Sequence, residues 1–117
     1  MAAPNVVNVS NILGRTAVQA VGTTATAIVT NASNSNKVFK INTLMVSNIE
    51  NSAAFSITAD IFRSGTATRI LASVSVPAFS TLDVMSKSIY LEEGDSLRLT
   101  ANVANRLEAI VSFEEIS

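Results

Sequence analysis

Apolar and polar positions alternate along the end of the chain. Leu97, Leu99 and Ala101 share one face of a run in which Ser96, Arg98 and Thr100 take the other. After a short polar link, Leu107, Ala109, Val111 and Phe113 alternate with Glu108, Ile110, Ser112 and Glu114. Successive side chains of a strand point to opposite faces, so alternation of this length marks half-buried strands. The two runs are predicted to pair as an antiparallel hairpin, residues 95–113, that closes a β-sandwich. Outward Ile110 is the apolar exception on an otherwise polar face.

The same period recurs upstream. Strands are expected over residues 16–21 (TAVQAV), 25–30 (ATAIVT) and 37–49 (KVFKINTLMVSNI). In the third, Phe39 and Ile41 share a face until Asn42-Thr43, after which Leu44 and Val46 take over; a slip by one residue predicts a bulge or bend. Residues 53–63 place Phe55, Ile57, Ala59 and Ile61 on one face, and Ser64-Gly65-Thr66 reads as a hairpin turn into residues 68–76. There Ile70, Ala72, Val74 and Val76 are expected inward. Pro77 ends that ladder because it has no N–H to donate. Leu82 and Val84 mark a short strand, and Ile89 and Leu91 precede the turn Glu92-Glu93-Gly94-Asp95. No stretch keeps a helical period. The reading is all-β: a single-domain antiparallel β-sandwich, jelly-roll-like, with about eight strands. Residues 15–117 form the sandwich. Residues 1–14 are expected to be an extended arm lying on the body or on a neighbour.

Composition narrows the function. The chain of 117 residues has no cysteine, histidine or tryptophan and one tyrosine. Thiol chemistry, zinc–thiolate sites and the commonest general base are therefore missing. Serines have no histidine to activate them, and no nucleophile motif frames a serine–lysine pair, so an enzyme is not expected. A net charge of −1 without a basic block argues against nucleic acid. No apolar run reaches the ~20 residues of a membrane helix, and MAAPNVVNVSN lacks the basic start and apolar core of a secretion signal. The carboxylates around Glu92 lack the ligand spacing of a calcium loop, so no metal or other cofactor is expected; Glu92 and Glu93 read as solvated turn residues. Arg63, Arg69 and Arg98 stand isolated among Ser and Thr, either as interface arginines or as charges that blunt a strand edge. Arg98 or Arg106 is expected to pair with Glu108 or Glu114 across the terminal strands.

Charged residues make up 15% of the chain, against roughly 25% in an average domain, and mean hydropathy is +0.38. This balance favours a chain that buries outer surface against copies of itself or a larger assembly. The candidate interface residues are Val6, Val7, Val9, Ile12, Leu13, Phe79 and Ile110.

Three stretches carry a resemblance: VFKINTLMVSNIENSAAFSITADIFRSG from Val38, SVSVPAFSTLDV from Ser73 and YLEEGDSLRLTANVANRLEAIVSFEEIS from Tyr90. Over residues 16–117 the chain resembles small β-sandwich structural proteins of tailed bacteriophages, of marine cyanophage-like virions. The resemblance implies a virion protein with no catalytic residues. The first expectation is a capsid decoration or cement protein that binds the major capsid protein on the outer shell as a homo-oligomer, with a trimer favoured. The alternatives are a neck, tail or fibre-associated component, or a carbohydrate- or receptor-binding sandwich.

Overall fold

The computed structural model describes residues 10–117. Val6, Val7 and Val9 lie outside them. The two terminal runs do form strands, but they do not form a hairpin. They lie in opposite sheets, each inserted between strands from elsewhere in the chain. The strands are β1 (Ile12–Ala20), β2 (Thr26–Thr30), β3 (Val38–Asn48), β4 (Phe55–Arg63), β5 (Thr66–Val76), β6 (Thr81–Asp83), β7 (Ile89–Leu91), β8 (Ser96–Ala101) and β9 (Leu107–Ile116). One sheet runs β1-β9-β3-β6, with β7 also pairing β3; the other runs β2-β8-β4-β5. Every ladder is antiparallel. With β6 and β7 counted as one interrupted strand, this is the two-sheet, eight-strand order of a jelly roll.

Alternation identifies a strand with one buried face; it does not identify the partner. That is why the terminal link was misread. Residues 102–106 arch from one sheet to the other. Their polar groups are met by neighbouring loops: Ser56 N–H donates to the Asn102 side chain (3.0 Å), Asn105 N–H to the Val21 carbonyl (3.4 Å) and Ile49 N–H to the Arg106 carbonyl (3.0 Å). The hairpin over β4 and β5 does form, through Ser64 and Gly65, both at positive φ (51° and 78°). Two such residues in succession suit the twist of a two-residue hairpin turn.

The slip in β3 is real: its register against β9 shifts between Ile41 and Thr43, leaving Asn42 as the extra residue. Expectation fails in β5. Val76 is buried and Ile70 half-buried, but Ala72 and Val74 are exposed. The β4–β5 ladder shifts twice, around Ala59, and Ser73 sits at φ 49° with its N–H on Thr58 Oγ1. Each irregularity resets the inward phase, so Leu71 rather than Ala72 partners Ala59. The first strand also starts earlier than expected, taking Ile12–Gly14 from the arm into a regular ladder with β9.

The core lies between the sheets. Ile41, Leu44, Val46, Leu107 and Val111 close on Ile57, Leu97 and Leu99, all fully buried. Each such side chain contributes about 1.5–3 kcal/mol through burial. Phe39 and Phe113 meet as tilted rings with centroids 5.5 Å apart. Two buried asparagines tie the ends. Asn31 donates to the carbonyls of Lys37 and Leu91, and Asn48 to those of Ala53 and Val76.

Candidate functional site

With the core closed, chemistry is left to the two outer faces, the sheet edges and the loops. On the β1-β9-β3 sheet, Ile110 is the cross-strand partner of Val18 on one side and of Met45 on the other. Partners in register share a face. Val18, Ile110 and Met45 therefore form one outward row across three strands, 74%, 41% and 37% exposed. Asp83 of β6 ends the row. Polar rows flank it: Ala20, Glu108 and Ser47 on one side, Thr16, Ser112 and Thr43 on the other. Beside Val18 and Ile110 lies a shallow hollow of about 300 Å³ that also touches Ser47 and Glu108. At its margin Gln19 Nε2 donates to the Ala27 carbonyl (3.1 Å), while Gln19 Oε1 is buried without a hydrogen-bond partner among the described residues.

Ile110 thus has the apolar company that its sequence position called for. Met45 was legible too, since it lies out of phase with Leu44 and Val46. Val18 was not, because β1 carries small apolar residues on both faces. The other candidates do not join this row. Ile12 and Leu13 are exposed at the start of β1, six strand positions from Val18 in the case of Ile12, or about 20 Å. Phe79 is 72% exposed in the link between β5 and β6, at φ 54°, with its N–H on the Glu50 carbonyl (3.1 Å). A bulky residue in the left-handed region is strained.

On the outer face of the β2-β8-β4-β5 sheet one acid, one arginine and one aromatic ring satisfy each other. Arg98 grips buried Asp60 with two hydrogen bonds, Nε to Oδ1 (2.9 Å) and Nη2 to Oδ2 (3.3 Å). Its guanidinium carbon stands 4.0 Å from the centroid of the Phe62 ring. Phe62 therefore faces outward, under a cation. The expected pairing of Arg98 or Arg106 with Glu108 or Glu114 is replaced by Arg98–Asp60 and Arg106–Glu50 (3.1 Å), because β8 and β9 are not neighbours.

In the acidic turn Glu92 is exposed as expected, but Asp95 is a buried latch. Asp95 is 1% exposed and accepts from Arg63 Nε (2.7 Å) and Nη2 and from Glu92 N–H (2.8 Å). Glu92 also accepts from Arg63 (3.0 Å), and Glu93 accepts from Asn36 N–H (2.9 Å). The hydrogen bonds from Arg63 hold the Asp95 carboxyl below its usual range against the opposing effect of burial. At the chain's end Lys37, with Arg15, does the same for Glu115. Among the described residues no three acidic side chains converge as metal ligands would, and no helix is long and apolar enough to cross a membrane. A second hollow, about 320 Å³, lies among Arg63, Arg69, Ile70, Ile89 and Tyr90.

The chain matches no protein-family model and no curated protein.

Proposed function

We propose that this chain is a non-catalytic structural component of a tailed-bacteriophage particle, a decoration or cement protein on the outer capsid shell. It is held there by the major capsid protein and by copies of itself. The observation that supports this reading is the apolar row Val18–Ile110–Met45, displayed on a face whose core is already closed behind it. Burying such a row returns about 25 cal/mol per Å² of apolar surface, and repeated seating on a shell turns modest contacts into avidity. Threefold seating is the expectation that the resemblance carries. Mass spectrometry and cryo-electron microscopy of purified particles test the role: hundreds of copies over the shell are expected. A few to tens of copies at one vertex would instead assign a neck, tail or fibre position and sink the decoration reading.

One observation favours a second reading, a carbohydrate- or receptor-binding module. Tyr90 is an exposed aromatic beside Arg69 at the second hollow, and Arg69 has no acidic partner among the described residues. Saturable binding on a glycan array, lost in Tyr90→Ala, would promote that reading.

A further inference from the structure

The described residues present four sheet edges, and three are blunted. An edge strand offers a row of unpaired N–H and C=O groups, which proteins interrupt with bulges, short strands or charge. β2 has five residues and a register shift at Ile28. β5 carries two shifts and the left-handed Ser73. At the far edge of the other sheet, β6 and β7 have three residues each. β1 differs. Its nine residues pair β9 without a shift from Ile12 to Ala20, contain no proline, and carry one charge. That charge, Arg15, is bound by Glu115 of its own chain (2.9 Å). Among the described residues no strand pairs with the outer side of β1.

We infer that β1 is a self-association edge: two copies pair their β1 strands antiparallel about a twofold axis at Thr16, fusing two sheets into one. Full overlap of a nine-residue strand with itself centres on its fifth residue, Thr16. The sequence is self-complementary in that register. On the outward face Ile12 meets Ala20′ and Gly14 meets Val18′, a large side chain opposite a small one each time, and Thr16 meets Thr16′ on the axis. A Cβ at Gly14 would meet nothing within 4 Å, so there is room over it for the branched Val18 of the second copy. The two Arg15 side chains face Ala17 residues rather than each other. The pair also aligns the two Val18–Ile110–Met45 rows on one continuous face. A ring of three would need a second, different edge, and those edges are the blunted ones.

This twofold pairing departs from the threefold seating that the resemblance implies, and it does not rest on the particle, because the test uses the purified chain. Sedimentation equilibrium of the whole protein is expected to show twice the 12.3 kDa chain mass. Thr16→Lys and Thr16→Glu, both on the exposed face, should each raise the dimer dissociation constant at least tenfold while leaving the circular dichroism of the folded chain unchanged. An equimolar mixture of the two should recover the dimer, since opposite charges then face each other. A wild-type monomer, a trimer, or a dimer indifferent to both substitutions would overturn the inference. So would a monomer that dimerises only after removal of residues 1–9, which would mean that the chain's own start occupies the edge.

Discussion

The two sheets of this sandwich carry similar cores and opposite exteriors. Outside β2-β8-β4-β5, a buried acid is gripped by Arg98, the arginine lies over Phe62, and both strand edges are interrupted. Outside β1-β9-β3, an apolar row is exposed and the β1 edge runs regular, with no further strand on it among the described residues. One exterior seats its buried acid and its aromatic ring against a single arginine; the other leaves an apolar row uncovered.

Breaking the self-satisfied side should have the largest effect. Arg98→Ala strands the buried Asp60 carboxylate and uncovers Phe62, with an expected loss of about 3 kcal/mol in urea denaturation. Replacing both partners by apolar residues should recover most of that loss; a single-substitution cost under half a kcal/mol would show that the pair is not structural. Acid is the next lever. Asp95 and Glu115 have folded pKa values depressed below their unfolded ones, near 3.9 and 4.3. Their stabilisation is therefore complete above those unfolded values and fades as pH falls below about 4, through the depressed folded values. Melting temperature should hold from pH 7 to about 5 and drop below 4, and Asp95→Asn should flatten part of the drop. A profile that is steepest near neutrality would contradict the assignment.

On the displaying side the pattern should invert. Ile110→Glu is expected to change folding stability by no more than about 0.5 kcal/mol. It should nevertheless weaken seating on particles by tenfold or more, about 1.4 kcal/mol, read as occupancy on washed particles. The smallest effect is expected from Phe62→Leu, which removes the cation–π contact at about 0.5–1 kcal/mol and should leave occupancy unchanged.

Much of the fold was legible in the residues because a strand's period of two is a local property. The nine-strand count came within one of expectation, and the β3 bulge was visible as a phase change at Asn42. What failed was non-local. Leu97–Ala101 and Leu107–Phe113 alternate alike whether they pair with each other or with strands far away in sequence, and only their insertion between β2 and β4 and between β1 and β3 sends them to opposite sheets. The inward phase of β5 was lost for a related reason: Ser73 adopts a conformation to which serine gives no clear signal. At the surface, Ile110 stood out because it broke a polar face. Val18 was hidden in a strand that carries apolar residues on both faces, and only register placed it beside Ile110. The acidic turn misled because Arg63, which makes Asp95 a buried latch, lies in a different hairpin.

Amide hydrogen exchange on the whole chain, followed over a hundredfold range of protein concentration, tests the division between the two sides most directly. β1 and β5 are both long edge strands, one on each sheet. Protection over Ile12–Ala20 should rise with concentration while protection over Thr66–Val76 stays constant. Rising protection in β5, or none in either strand, would contradict the claim that association belongs to the β1-β9-β3 side.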